Sequence, residues 1–209
     1  MADDVATRVA QQTLAQRRAD YTEEVKRLLD AALEVMRRCG TESRPRVADI
    51  VAAAGLSNDA FYRHFPSKDA LVAALLEDGT DRLCGYLAHQ MAKERTPETK
   101  IRRWVEGVFA QTDAAVGETT RAVLHNAGGV AGGRATGRHP ASGVLAPLLH
   151  EPLTALGSAN PELEATFATH AVLGLLADHL WERTRPSRKE IDRVVTLCLG
   201  AARASTVAS

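Results

Sequence analysis

Between positions 57 and 64, Ser57, Asn58, Asp59, Tyr62, Arg63 and His64 bring together side chains able to hydrogen-bond a nucleic acid. An asparagine amide can pair with adenine, a carboxylate can accept from cytosine, and an arginine fork fits guanine or a phosphate. Asn58 and Asp59 are therefore the candidate base readers, and Arg63 can reach guanine or phosphate. Such chemistry works only if a helix presents these groups on one face.

The surrounding sequence, RVADIVAAAGLSNDAFYRHFPSKDAL over residues 46–71, supplies that helix. Val47, Ile50, Val51 and Ala54 recur at helical spacing, and Gly55 can end the helix at positive φ. Leu56 plugs the turn. Ser57 is placed to N-cap a second short helix whose inner face carries Phe61 and Phe65, while Asn58, Asp59, Tyr62, Arg63 and His64 point away from that core. Two short helices of this kind, one packed on the other with its far face exposed, make a helix-turn-helix suited to the major groove.

The pattern Ile50-Val51-x-x-Ala54-Gly55-Leu56-Ser57-x-x-x-Phe61-Tyr62-x-His64-Phe65-x-x-Lys68-x-x-Leu71 resembles the N-terminal signature of the TetR-type transcription regulators. The match covers about residues 22 to 76, roughly a quarter of the chain. Phe61 stands where leucine is commoner and keeps the core role. Arg46 stands where the family usually has a threonine facing phosphate, and arginine can make that contact too. The resemblance implies phosphate contacts from Lys68 at the start of helix four and from Tyr62 and His64 at the end of helix three. It also implies a homodimer on a palindromic double-stranded operator, with a helical C-terminal domain that senses a small-molecule effector.

Other chemistries lack their residues. Gly128 and Gly133 have the separation of phosphate-loop glycines, but Arg134 and Ala135 follow where Lys and a Ser or Thr hydroxyl are needed, and no strand precedes them. His125, His139, His150, His170 and His179 include no pair at i, i+4 and no HExxH, and His179 with Glu182 reads as an ordinary solvated pair. No GxSxG is present, so the chain reads as no enzyme, with no metal and no cofactor.

Composition sets the remaining bounds. The 209 residues are 45% apolar and carry no formal net charge, so any nucleic-acid contact must come from a local patch. Arg37 to Lys68 supplies it, with six basic and three acidic residues. Cys39, Cys84 and Cys198 are isolated and odd in number, which fits a reducing cytoplasm better than a disulfide framework. The acidic start MADDVATRVAQQ and the absence of any run near the roughly 18 apolar residues of a spanning helix predict a protein that is neither exported nor in a membrane.

Along the chain the reading is all-α, about nine helices. Residues 1–21 form an N-terminal arm with Arg8, Arg17 and Arg18, either a disordered tail or an extra helical arm able to place arginine in a minor groove, ahead of a capping box at Asp20 and Glu23; 22–67 form a three-helix DNA-binding domain; 68–209 form a ligand-binding and dimerisation domain. Helix four should run from Ser67-Lys68-Asp69 past Gly79 to about Lys93 and link the two domains mechanically. Thr96-Pro97 opens helix five, and a shorter helix follows over Glu118 to Ala127. The Gly-rich 126–143 is a long loop or a partly helical lid, before an apolar stretch broken by Pro147 and Pro152. Asn160-Pro161 and Ser187-x-x-Glu190 open the last two helices, about 161–184 and 187–204.

Trp104, Phe109, Phe167 and Trp181 are the candidate lining of a mainly apolar effector pocket. The apolar stripe of the last helix, Ile191, Val194, Val195, Cys198 and Leu199, is the candidate dimer interface. Two other readings are a helical small-molecule-binding protein or enzyme with a vestigial helix-turn-helix, and a ligand-independent regulator with a filled core.

Overall fold

The computed structural model describes residues 4–127 and 140–204. Gly128, Gly133, Arg134, Ala135 and His139 lie outside them, as does most of the expected loop at 126–143. Among the described residues every regular element is helical, in the order α1 (Val5–Cys39), α2 (Val47–Ala54), α3 (Asn58–His64), α4 (Lys68–Met91), α5 (Pro97–Phe109), α6 (Ala114–Asn126), α7 (Pro140–Leu145), α8 (His150–Ala155), α9 (Pro161–Glu182) and α10 (Arg188–Ala204).

Local chemistry accounts for several helix starts. The Thr96 hydroxyl accepts from the Thr99 N–H at 3.3 Å, with Pro97 at the first helical position where its missing N–H costs nothing. Asn160 caps α9 through Leu163 N–H at 3.1 Å, again ahead of a proline. Ser187 and Glu190 cap α10 reciprocally, each side chain accepting the other's backbone N–H at 3.2 Å. The short α6 begins four residues before the expected Glu118, and Pro140 to Gly143, at the end of the Gly-rich segment, already belong to α7.

The N-terminus departs most from expectation. Asp20 and Glu23 open no new helix; α1 runs unbroken for 35 residues. Nothing in VATRVAQQTLAQRRAD stops it, because the segment holds no Gly or Pro and is rich in Ala, Gln and Arg. The Asp20 carboxylate accepts instead from Gln16 Nε2 one turn back, at 2.8 Å. The described side chains from Asp4 to Glu23 are all exposed, so the first half of α1 projects free of the domain.

Two cores organise the rest. The first gathers Leu28, Ala32 and Met36 of α1 with Ile50, Phe61, Phe65 and the start of α4, Leu71 to Leu75. The second surrounds Trp104 and joins α5 to Leu87 and Met91 at the far end of α4, and to α9 and α10. Thus α4 begins in one core and ends in the other, the link expected of it. A second link was not legible in the sequence: Ala122, Val123 and Ala127 of α6 and its C-cap belong to the first core, where α6 packs on α1.

Candidate nucleic-acid interface

The helix-turn-helix forms as its residues dictate. Gly55 ends α2 in the left-handed region at φ 63°, a conformation that costs other residues about 1–2 kcal/mol. The Ser57 hydroxyl accepts from Ala60 N–H at 3.1 Å and starts α3. Phe61 is fully buried and Phe65 nearly so, with ring centroids 5.9 Å apart. Asn58, Asp59, Tyr62 and Arg63 are exposed on the opposite side. Arg27 of α1 locks the turn by donating to the carbonyls of Ala54 at 2.5 Å and Gly55 at 3.2 Å, which α2 leaves without helical partners.

Two helix N-termini meet beside this face. Ser67 caps α4 through Ala70 N–H at 3.1 Å, and Lys68, the first residue of α4, donates to Pro45 O at 3.2 Å, just ahead of α2. Arg46 stands at the N-cap of α2 with its side chain 82% exposed. Its backbone N–H and its guanidinium both bind the Asp49 carboxylate, at 3.0 and 3.3 Å. These hydrogen bonds hold Asp49 below the usual carboxylate range and push Arg46 up. Arg46 and Lys68 thus place a cation at each of two helix N-termini, positions that favour phosphate.

His64 corrects the sequence reading. Expected to face outward with the α3 set, its side chain is wholly buried against α1. Its Nε2–H donates to Glu24 Oε2 at 2.6 Å, and the Tyr21 ring meets the imidazole edge-on at 4.2 Å between centroids. An ionised carboxylate can only accept, which places the imidazole proton on Nε2. Nδ1 is buried without a partner. Arg63 Nη1 donates to the same Glu24 oxygen at 3.2 Å. The hydrogen bond from His64 is the first cause of a Glu24 carboxyl held below its ordinary value, with the Arg63 charge adding to it against partial desolvation. Glu24, Tyr21 and Arg27 were missed because the cluster spans some forty residues of sequence. The available signal was an acid and a tyrosine at i+3 and i from each other, leading into the buried Leu28 along one face of α1.

The C-terminal candidates separate into two groups. Trp104 is fully buried, donates its indole N–H to Leu145 O at 3.2 Å, and is packed with Phe109 among core side chains. Phe167 and Trp181 do not join them: they are 67% and 50% exposed on the outer face of α9. The helical rotation explains this, since Ala165, Thr169, Val172, Leu176 and Leu180 are the α9 residues that face the core. The four aromatics therefore line no common pocket.

The expected dimer stripe also turns inward. Val194, Val195 and Cys198 belong to the chain's own core, and Ile191 and Leu199 pack against it. Burial pushes the Cys198 thiol up to about 11. An amphipathic stripe shows that a helix buries one face, but own core and partner subunit have the same apolar requirement. On the last two helices the exposed large apolar side chains are Leu163, Phe167, Leu175 and Trp181 of α9 and Leu197 of α10, the last 68% exposed.

His179, considered above with Glu182, pairs instead with Thr184 at 2.7 Å and Glu190 at 3.4 Å, joining α9 to α10. Among the described residues no three His, Cys, Asp or Glu side chains converge on a metal-sized site. No described helix is long and apolar enough to cross a membrane.

Comparison with known proteins extends this geometry. A family model described as bacterial regulatory proteins, tetR family, matches residues 28–75. No curated protein matches the chain. A transcriptional regulator from Pseudomonas aeruginosa PAO1 superimposes with a TM-score of 0.64 at 23% identity, covering 86% of this chain and 88% of its own. A TetR-family transcriptional regulator from Mesorhizobium loti gives 0.63 at 17% identity, over 88% and 96% of the two chains. RolR, solved in complex with the ligand resorcinol, gives 0.61 at 17% identity, over 92% and 96%. At these identities the likeness establishes a shared fold.

Proposed function

We propose that residues 28–75, which match the tetR-family model in a chain that shares the fold of such regulators, are a DNA-binding domain, and that the protein is a cytoplasmic repressor that binds a palindromic double-stranded operator as a homodimer. The observation that carries the reading is the α3 surface: Asn58, Asp59 and Tyr62 stand exposed on a capped helix, flanked by Arg46 and Lys68 at two helix N-termini. The first three offer base and phosphate contacts, and the cations offer phosphate contacts. His64 contributes by fixing the helix. The functional division follows the proposed domains, 22–67 for DNA and 68–209 for dimerisation and ligand.

The homodimer would use the outer face of α9. Leu163, Phe167, Gly174 and Trp181 share a stripe with the exposed His170 and Asp178 opposite the core-facing residues, so large apolar side chains stand uncovered on the outer face of this helix. An isologous contact between two copies of α9, joined by Leu197 of α10, would cover them. Two recognition helices would then meet half-sites about one turn of DNA apart.

A small, mainly apolar effector would release the DNA by biasing α4, which has one end in each core. RolR, which holds resorcinol on the same fold, supports that reading. The filled packing around Trp104 favours a second one, a regulator that needs no ligand. Selection of bound sequences from random DNA tests the common ground: enrichment of a two-fold symmetric site is expected, and recovery of no preferred sequence would overturn both. Operator release during titration with small aromatic and apolar compounds separates them, since the ligand-independent protein would stay bound throughout.

A further inference from the structure

Glu24 lies outside the helix-turn-helix but holds its working end. One carboxylate oxygen accepts from the buried His64 imidazole at 2.6 Å and from the half-exposed Arg63 guanidinium at 3.2 Å. The helix it grips has only seven residues, too short to set its own direction, so α3 takes its orientation from side-chain anchors. Phe61 and Phe65 hold its inner face; Glu24 holds the C-terminal turn. Arg27, the other cation in the field of Glu24, is committed to the carbonyls of Ala54 and Gly55. Arg63 is thus the exposed cation on the recognition helix, and it is already paired.

We propose that Glu24 is a specificity-determining residue, which positions α3 through His64 and keeps Arg63 paired until a cognate DNA site offers the guanidinium a better acceptor. The proposal rests on the DNA-binding reading above. On random DNA the electrostatic contribution scales with the number of phosphates neutralised, so an arginine retained by an internal acid adds little there. At a site presenting guanine O6 and N7, the bidentate contact competes with a single 3.2 Å bond. An arginine free at all times would strengthen every complex alike. A conditional one widens the gap between right and wrong sequences.

The test measures affinity against salt for the full-length protein on its selected operator and on random duplex of equal length. Glu24→Gln keeps an oxygen that can accept from His64 but removes the charge that retains Arg63. Random-DNA affinity should rise about eightfold at 0.1 M salt, with the slope of log K against log salt steeper by about 0.9. The operator-to-random ratio should fall correspondingly, and adding Arg63→Ala to Glu24→Gln should restore the wild-type slope. Arg63→Ala alone, which leaves the Glu24–His64 hydrogen bond in place, should leave the random-DNA slope unchanged while weakening the operator complex. An unchanged slope in Glu24→Gln, a steeper slope that persists in the double variant, or a random-DNA slope lowered by Arg63→Ala alone would each overturn the proposal. Wild type without salt-dependent DNA binding would instead overturn the DNA-binding reading along with it.

Discussion

The helix-turn-helix core and the Trp104 core are both built from apolar stripes on helices, yet they relate differently to the surfaces beside them. In the first, burial of Ile50, Phe61 and Phe65 leaves Asn58, Asp59 and Tyr62 exposed, so knowing the core also locates the working face. In the second, α9 exposes Leu163, Phe167 and Trp181 on the face away from the core, and α10 carries its strongest stripe inward. Here the inward face says nothing about the outward one. The difference teaches that patterning assigns a face to burial without naming what buries it.

The sharpest way to break the comparison is a pair of charge insertions in the second region. Val195→Glu places a carboxylate in the core and should cost about 3–5 kcal/mol or prevent folding. Phe167→Glu should keep the melting temperature of the isolated subunit and yield a monomer by sedimentation. A folded monomer from Val195→Glu, with Phe167→Glu still dimeric, would return the interface to α10.

In the first region the expected effects are smaller and act on DNA. Lys68→Ala should weaken binding to all sequences and reduce the salt slope by about 1, whereas Asn58→Ala should relax preference at particular base pairs. Identical losses across all sequences for both variants would erase the distinction between phosphate and base contacts. Gly55→Ala should cost about 1–2 kcal/mol in thermal unfolding, from the left-handed backbone, and its new Cβ would lie 3.1 Å from the Arg27 guanidinium. A neutral result would show that the turn can reshape.

The mildest expectation concerns acid. Glu24 and Asp49 in the first region, and Glu94 beside Arg103 in the second, all have carboxyls held below their ordinary values by hydrogen bonds. A depressed folded value means that the stabilisation is complete above the unfolded value and is lost as pH falls through the folded one. Stability should therefore be flat near neutrality and decline below about pH 4.5. In Glu24→Gln the decline should be shallower, as read by helical ellipticity between pH 6 and 2.

Legibility followed the same boundary. The first region was read closely because each signal there is local: Gly55 for the turn, Ser57 for the cap, and four apolar residues at helical spacing for α2. The positions of Thr96, Pro97, Asn160 and Ser187 likewise located the starts of α5, α9 and α10. Glu24 escaped because its partners are 39 and 40 residues away. Asp20 misled because a capping pattern acts only where a helix needs a beginning, and the sequence before it was already helical. Phe167 and Trp181 were assigned to a pocket by residue type, when rotation about α9 sets them outside.

The projecting half of α1 has a consequence for how the molecule breathes. Alone, a segment of that length would be a marginal helix, because forming the first turn costs a factor of roughly a thousand. Here Leu28 to Met36 hold the following turns in the first core, so the nucleus always exists and the extension only propagates from it. Its amides should exchange with solvent in a graded series, fastest near Val5 and slowing turn by turn toward Leu28. A single helix in outline is therefore a zipper in time, closed at one end and opening from the other.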